Sequence, residues 1–352
     1  MTEEKRIDWQ KMRELCAKIY MARGIPEADA YMVSDSLISA ELRGVYSHGI
    51  TRMKMYMKYI DNDQVNTSGE IKVLNESPAT LHIDGNNCLG AVVATKAVRR
   101  GIEKARESGA AVISIRRSNH FGTAAYYTQM IAEQGMVGIA MTNAFPHVAP
   151  LGSCQGYLGT NPISFGAPTA SGKPMILDMA TSVVARGKIL SAAEKGEQIP
   201  IGWALDAQGN PTTDAAAALK GVLLPIAGPK GYGLSLFIDI LSGVLSGAKF
   251  GGHLGPHAVG NTSRDTDVGH FFVIADISRF MPLEQFYERI KVVINDIKSL
   301  PRIEGVNEIF MPGEIEERKA DLSIKEGLLL DEALITEIKG MCERFGITFD
   351  LL

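Results

Sequence analysis

The first 60 residues place hydrophobic side chains at the spacing of successive helical turns. This periodicity predicts three helices, with Gly24 ending the first and Pro26 beginning the second. Residues 41–52, between the second and third helices, are bracketed by Gly44 and Gly49 and are predicted to form a shaped connection. The three apolar faces consist of Met12, Leu15, Cys16, Ile19 and Tyr20, then Ala30, Val33, Leu37 and Ala40, then Ile50, Met53, Met57 and Ile60.

From about residue 71 the periodicity changes to the alternation that is typical of β-strands. Strands and helices are then predicted in turn at 79–84, 91–107, 110–115, 123–134 and 136–142. This alternation predicts an α/β architecture. It does not indicate a Rossmann domain, because no G-x-G-x-x-G sequence stands at any strand-to-helix turn.

Residues 143–230 are predicted to be loop-rich. Within them, residues 143–168 hold several glycines and prolines, and a structureless stretch of this length in a compact protein usually indicates a functional region. A short strand is predicted at 175–177. Asp178, Thr181 or Ser182 is predicted to cap the helix that follows this strand.

Length, composition and charge are those of an ordinary soluble globular protein. The 352 residues are too many for one compact core, and 45% of them are hydrophobic and 22% charged. The net charge is −4 and no basic run occurs, so nucleic acid is not an expected partner. The most apolar run, 234–245, is interrupted by Asp239 and Gly243; it is interpreted as a buried helix, and no membrane partner is expected.

The cysteines indicate a reducing compartment. They form no C-x-x-C pair, and no signal peptide is recognisable, so free thiols and a cytoplasmic location are predicted. The four positions are Cys16, Cys88, Cys154 and Cys342.

His253, His257 and His270 are close enough in sequence to raise the question of a metal site. Gly255 and Pro256 prevent the first two from sharing a helical face, and no nearby carboxylate or cysteine completes a tetrahedral set. No metal is therefore expected.

His120 lies in the connection between a predicted strand and a predicted helix, in the sequence S-N-H-F-G. Side chains at such connections often carry catalysis in α/β proteins, and imidazole titrates near neutral pH. A general acid/base is one interpretation. A histidine that caps the following helix is the other, and the local sequence leaves both open.

A second histidine stands in S-H-G-I-T-R, residues 47–52. His48 and Arg52 would share a helical face, and arginine suits bidentate binding of a carboxylate. The motif is either an acid-binding pocket with a proton donor, or a solvated helix start with Ser47 as its N-cap. D-M-A-T-S at 178–182 and G-P-K-G-Y-G at 228–233, with Lys230, either bind phosphate at helix starts or are ordinary caps.

Taken together, these stretches resemble one family over nearly the whole chain, the type-2 malate/L-lactate dehydrogenases. The family includes L-sulfolactate and ureidoglycolate dehydrogenases and piperideine- and pyrroline-2-carboxylate reductases. The matching segments, in this order, are R-G-V-Y-S-H-G-I-T-R (43–52), S-N-H-F-G (118–122), L-G-T-N-P-I-S-F-G-A-P (158–168), D-M-A-T-S (178–182), P-T-T-D (211–214), G-P-K-G-Y-G-L (228–234) and P-G-E (312–314).

The resemblance implies a non-Rossmann α/β fold that binds NAD or NADP, with a mixed sheet and helices. It also implies an N-terminal helical region that packs with the C-terminal segment. The corresponding division is a helical domain of residues 1–76 with 305–352, and a cofactor- and substrate-binding region of residues 77–304. A homodimer with the cleft near the subunit interface is expected.

Roles for individual residues follow from the same resemblance. His120 is similar to the proton acceptor, whereas His48 paired with Asp178 is an alternative proton relay, and the sequence does not choose between them. The positions that match substrate contacts are Ser47, His48, Arg52, His120 and Thr160. Those that match cofactor contacts are His48, Ala144, Thr160, Asp178, Met179, Ala180 and Lys230.

The implied activity is hydride transfer between NAD or NADP and a small 2-hydroxy acid or its 2-oxo product, similar to malate, lactate or sulfolactate. A ureidoglycolate dehydrogenase or a reductase of cyclic imine 2-carboxylates is the alternative within the family. A ligand-binding protein that retains the fold is the non-enzymatic alternative. Phe145, His147 and the loop 251–268 with Arg264 are expected to face the substrate side chain.

Overall fold

The computed structural model describes residues 6–255 and 265–351. Its main sheet consists of β2 (Lys72–Glu76), β3 (Thr80–Asp84), β4 (Ala110–Ser118), β5 (Met136–Thr142), β6 (Ile163–Ala167), β7 (Met175–Met179) and β10 (Val268–Asp276). Two short pairs are formed by β1 (Arg6–Ile7) with β11 (Leu328–Leu329) and by β8 (Ala204–Leu205) with β9 (Val222–Leu223).

The helices are α1 (Trp9–Met21), α2 (Glu27–Leu42), α3 (Met53–Asp61), α4 (Gly90–Ser108), α5 (Ala124–Ala132), α6 (Arg186–Lys195), α7 (Ala215–Lys220), α8 (Pro229–Asp239), α9 (Leu283–Ser299), α10 (Glu314–Glu326) and α11 (Glu332–Phe345). Short 3-10 turns occur at Tyr46–His48, Ile50–Arg52, Gly251–His253 and Ile277–Arg279, and Ile240–Val244 is π-helical.

The main sheet is mixed, with the strand order β2-β3-β4-β10-β5-β6-β7. β3 and β4 are parallel and joined by α4, whereas β10 lies antiparallel between β4 and β5. The buried core of this layer is formed by α4 and α5 against the sheet, with Ile113, Tyr127 and Phe272 all inaccessible to solvent. The predicted α/β class with a mixed sheet is confirmed.

The N-terminal helices pack against the end of the chain. Ile7 pairs with Leu328 across β1 and β11, and the buried cluster of α1, α2 and α3 includes Ile335 and Ile338 of α11. The apolar faces predicted for the first three helices are buried in this cluster or beside it. The division at residues 76/77 and 304/305 stays a prediction.

One prediction for the middle of the chain is wrong. The loop-rich region 143–230 contains β6, a short strand that was not predicted, and α6, the helix that was predicted after the strand at 175–177. None of the three predicted capping residues caps α6, because the chain runs on in extended form after β7. The N-cap of α6 is Ala185.

The interpretation of residues 234–245 as a buried helix is also wrong. The segment is helical, as α8 followed by Ile240–Val244, but Phe237 is 65% exposed and Leu245 is 59% exposed. The apolar composition of this segment is that of a surface that avoids water, but the described part of the chain leaves one side of the helix uncovered. Within residues 6–255 and 265–351, no helix combines the length and hydropathy needed to cross a bilayer.

Candidate active site

The S-N-H-F-G loop connects the end of β4 to the start of α5, as predicted from the sequence. Gly122 has φ +83° and its missing side chain leaves room for Ser36, because a Cβ there would lie 2.7 Å from the Ser36 hydroxyl oxygen. On the other side of the loop, a Cβ on Gly90 would lie 2.1 Å from the carbonyl oxygen of Asn119. The backbone that carries His120 is therefore held closely between α2 and α4.

The buried side chain of His270 packs against this loop. The ring of His270 stacks on Phe121 with centroids 4.5 Å apart and an interplanar angle of 10°. Its Nε2 lies 2.8 Å from Ser118 Oγ and its Nδ1 lies 2.8 Å from Thr142 Oγ1. Burial lowers the pKa of His270 to about 3, so the ring is neutral and acts as a polar core residue.

The histidines that raised the question of a metal site lie in different surroundings where the structure describes them. Both ring nitrogens of His270 have hydroxyl partners, and His253 is exposed in a 3-10 turn. His257, like Arg264, lies outside the described residues. In the described part of the chain no three His, Cys, Asp or Glu side chains are grouped as metal ligands.

His120 contacts two other ring side chains. Its Nδ1 lies 2.7 Å from the hydroxyl oxygen of Tyr56, and its ring stacks on His48 with centroids 5.4 Å apart and an interplanar angle of 25°. The backbone N–H of Gly122 approaches the same Nδ1 at 3.4 Å, a longer contact. The structure thus brings both candidate histidines into one cluster and leaves the Nε2 atom of His120 without a partner among the described residues.

Tyr56 was not found from the sequence as a functional residue. It follows Arg52 by four positions, just as Arg52 follows His48, so the spacing 48, 52, 56 was the available signal. The side chain is 3% exposed, and burial raises the pKa of its phenol above the usual value. A tyrosine in this position stays protonated and fixes the orientation of the imidazole.

The S-H-G-I-T-R motif folds as two 3-10 turns rather than as the start of a helix. Ser47 does not act as an N-cap; its hydroxyl lies 2.9 Å from Nδ1 of its neighbour His48. The Nε–H of Arg52 donates to the carbonyl oxygen of Ser47 at 2.5 Å. One edge of this guanidinium is therefore used to shape the turn, and its η nitrogens remain for a ligand apart from a weak contact with Met55 Sδ at 3.8 Å.

Both candidate histidines are neutral at physiological pH. Burial, with the nearby Arg52 charge as the second cause, lowers the pKa of His48 to about 4. Burial also lowers the pKa of His120 well below its usual value, helped by the positive charges that His48 and Arg52 can carry. A neutral imidazole has a ring nitrogen that can accept a proton, and the neighbouring cation lowers the affinity of the ring for that proton.

Asp178 lies in the edge strand β7 and accepts a hydrogen bond of 3.0 Å from the backbone N–H of Ala125, in the first turn of α5. Although the side chain keeps an exposed edge in this single chain, desolvation around the carboxyl raises its pKa to about 6. In the described part of the chain no hydrogen bond or ion pair joins Asp178 to His48. The hydrogen bond from Ala125 to Asp178 therefore links β7 to α5, the helix that follows His120.

Two fully buried polar residues connect the positions predicted to contact the cofactor. Thr181 donates its N–H to Thr160 O at 2.9 Å, and its own carbonyl accepts from Ile226 N–H at 2.9 Å, just before α8. Asn161 accepts from Ala144 N–H at 2.9 Å and donates to the carbonyl oxygen of Ser235 in α8 at 3.0 Å. These links of Thr181 and Asn161 were not predicted from the sequence.

These links join the backbone at Ala144 and Thr160 to α8 and to the segment that precedes it. Of the other predicted positions, Asp178, Met179 and Ala180 directly precede Thr181 along the chain. Lys230 is exposed in the first turn of α8, where backbone N–H groups have no helical acceptor. A cation at the positive end of a helix fits an anionic phosphate of a dinucleotide.

The loop of residues 143–152, which was predicted to face the substrate side chain, contacts α6. His147 Nε2 lies 3.3 Å from an η nitrogen of Arg186, and burial, with this neighbouring charge, lowers the pKa of His147. Phe145 packs close to Gly255, the last described residue before the gap. Both residues are partly exposed.

Comparisons with known proteins assign this arrangement to a family. The family model for malate/L-lactate dehydrogenase matches residues 7–339. A malate dehydrogenase of Pyrococcus horikoshii is 40% identical over 351 residues, which cover 97% of this chain and 96% of that protein. The solved structure of a sulfolactate dehydrogenase from Methanocaldococcus jannaschii is 39% identical and superposes with a TM-score of 0.90, covering 98% of each chain.

More distant relatives carry a cofactor in their names. A ureidoglycolate dehydrogenase (NAD(+)) of Escherichia coli is 32% identical over 92% of this chain and 92% of its own length. A (2R)-3-sulfolactate dehydrogenase (NADP(+)) of Chromohalobacter salexigens is 31% identical over 95% of this chain and 97% of its own length. The family match over almost the whole chain and the agreement in fold lead to one conclusion: this chain belongs to the malate/L-lactate dehydrogenase family.

Proposed function

We propose that this dehydrogenase oxidises a small 2-hydroxy acid to the 2-oxo acid, reversibly, with NAD or NADP as the hydride acceptor. The observation that carries the proposal is the cluster of His120, His48 and Tyr56 beside Arg52. It combines a neutral base, a group that orients this base and a cation for a carboxylate. The names of the relatives support the same class of reaction.

Arg52 would bind the substrate carboxylate through its η nitrogens, because its Nε is already engaged with the turn. This places the 2-hydroxyl towards His120. In the tautomer that carries its hydrogen on Nδ1, His120 would donate to the Tyr56 hydroxyl oxygen and its Nε2 atom would accept the hydroxyl proton. When bound, a nicotinamide cofactor would supply the hydride acceptor for the C–H bond of the substrate, and the residues of this chain would hold the two molecules and take the proton.

We assign the proton transfer to His120 rather than to His48. The Nδ1 of His48 is engaged with Ser47, and no carboxylate orients the His48 ring in the described residues. His48 is then a wall of the site between substrate and cofactor, with Ser47 beside it. Asp178, Met179 and Ala180, with Ala144 and Thr160, would line the cofactor side, and Lys230 would meet a phosphate.

An activity screen tests the proposed function. The purified protein is mixed with NAD or NADP and with malate, lactate, sulfolactate or ureidoglycolate, and separately with a reduced cofactor and the 2-oxo acids or cyclic imine 2-carboxylates. Reduced nicotinamide is followed by its near-ultraviolet absorbance. We expect turnover of at least one 2-hydroxy acid, and reduction of the corresponding 2-oxo acid with the reduced cofactor. Reduction of cyclic imine 2-carboxylates alone, or binding without turnover, would contradict the proposal.

The exposed apolar face after the start of α8 supports a homodimer. Phe237, Ile240, Val244 and Leu245 are 38% to 65% exposed on one side of a continuous helical segment. Such a stripe usually marks an interface, and self-association with two-fold symmetry is the commonest way to cover it. The proposed interface is thus adjacent to the helix that carries Lys230.

Replacing Phe237 and Val244 together by glutamate is expected to dissociate the dimer, because four charges would be buried in a two-fold interface. Light scattering should then change from twice the chain mass to the 38.0 kDa of one chain. Phe280→Glu is the control. Phe280 is 74% exposed and follows the carboxyl end of β10, outside the apolar face of residues 237–245. A wild-type protein of 38.0 kDa in solution would contradict the dimer.

A cytoplasmic location is the remaining part of the proposal. All four cysteines lie in the described residues as free thiols, and three of them are buried. Free thiols suit a reducing compartment.

A further inference from the structure

Glu41 is a buried acid that the proposed reaction does not use. It is the second-last residue of α2, behind the turns that carry His48 and Arg52, and it is 4% exposed. Its Oε2 accepts the backbone N–H of Ile50 at 2.9 Å, and no ion pair involves it in residues 6–255 and 265–351. A buried carboxyl without a cation, at the negative end of a helix, is unfavourable for stability, so another reason for its presence is needed.

The contact with Gly49 supplies that reason. Gly49 separates the two 3-10 turns, Tyr46–His48 and Ile50–Arg52. A Cβ on Gly49 would lie only 2.0 Å from the Oε2 atom of Glu41, so the carboxyl lies directly against the backbone at this junction. The carbonyl oxygen of Gly49 accepts a hydrogen bond from Arg52 N–H at 2.9 Å. This bond links the fixed backbone at Gly49 to the second turn, which carries Arg52.

We propose that Glu41 is a positioning residue for substrate binding, because its carboxylate fixes the junction from which His48 and Arg52 project. This inference rests on the proposed function, since it takes Arg52 as the carboxylate anchor. Glu41 itself does not reach the reacting atoms. Its effect is on the KM for the hydroxy acid, whereas binding of the cofactor at α8 is independent of it.

The charge state of Glu41 gives the proposal a pH signature. The groups that face it from the packed elements are the Cys16 thiol of α1 and the Asp331 carboxyl at the start of α11. Burial raises the pKa of Glu41 to about 7, opposed by the Ile50 hydrogen bond and reinforced by Asp331. Above pH 7 the carboxylate accepts a charge-assisted hydrogen bond, and below pH 7 the protonated acid holds Ile50 more weakly.

The test measures KM for the active hydroxy acid in wild type, Glu41→Gln and Glu41→Leu between pH 6 and 8. In wild type we expect KM to rise about fivefold as the pH falls through 7, the difference between a charged and a neutral hydrogen bond. Glu41→Gln keeps a neutral acceptor and should show the low-pH KM at every pH. Glu41→Leu removes the acceptor and should raise KM about tenfold at pH 8, with an unchanged KM for the cofactor.

Asp29→Leu is the matched control, because Asp29 is a buried acid at the other end of α2, paired with Lys96. It should keep the wild-type KM and its pH dependence, and circular dichroism should confirm that all variants fold. Asp178, whose pKa is raised to about 6, titrates in every variant and so cancels in the comparison. A folded Glu41→Leu protein with wild-type KM, or an inflection near pH 7 that persists at full size in Glu41→Gln, would overturn the role of Glu41. An inactive wild type would instead overturn the proposed function.

Discussion

Replacement of His120 by alanine is expected to lower kcat about 10²–10⁴-fold, the usual contribution of a general acid or base. The variant loses the proton acceptor that stands between Tyr56 and the proposed position of the 2-hydroxyl. Binding of the reduced cofactor, measured by fluorescence titration, should change little, because the proposed phosphate contacts lie at α8. Steady-state kinetics in the oxidation direction would measure the effect.

Two further variants sharpen this result. His82→Ala, in β3 and outside the ring cluster, is the control and should keep wild-type turnover. Tyr56→Phe should lower kcat about fivefold, since it removes one hydrogen bond to the imidazole and leaves the base in place. If His120→Ala turned over normally while His48→Ala did not, the proton would belong to His48.

Replacement of Arg52 by lysine is expected to raise KM for the hydroxy acid about tenfold to a hundredfold, with a smaller change in kcat. A lysine cannot form the bidentate, charge-assisted pair with a carboxylate, and a hydrogen bond to a charged group contributes about 1.5–3 kcal/mol. Lysine also cannot donate to the carbonyl oxygen of Ser47 in the geometry of the Arg52 Nε–H. The substrate dependence of initial rates at saturating cofactor would measure this.

The control for this prediction is Arg23→Lys, which replaces an arginine paired with Asp61. That substitution should leave KM for the hydroxy acid unchanged. An Arg52→Lys protein with wild-type KM would show that another group binds the carboxylate. Arg186 would then be the next residue to test, because its guanidinium is cationic and exposed and lies beside the partly exposed His147.

Much of the fold could be predicted from local patterns, because the core elements have strong periodicity. The strand at 136–142 has the predicted limits, and α4 and α5 agree with their predicted ranges to within two residues. β6 was not predicted, because it has only five residues and its buried positions do not alternate along the strand. A short strand next to the edge of the sheet takes its stability from its neighbours, and its own sequence carries little of that information.

The candidate site shows the same division between local and distant information. Motif resemblance identified His120, His48 and Arg52, because each stands in a distinctive local sequence. It did not identify Tyr56, Asn161 or Glu41 as partners, since their roles depend on contacts with residues from other segments. Neither motif by itself shows whether the side chains of His48 and Asp178 are in contact.

By itself the sequence determined the family, the α/β class, the N-terminal helices and the strand-to-helix loop that carries His120. These follow from periodicity and from short motifs, which act over a few residues. Only the tertiary structure decided that His120 lies against both Tyr56 and His48, that α8 leaves an apolar face uncovered, and that a buried acid supports the turn with Arg52. Burial and the hydrogen bonds between distant segments set these properties, because the same side chain has a different pKa and a different partner in each surrounding.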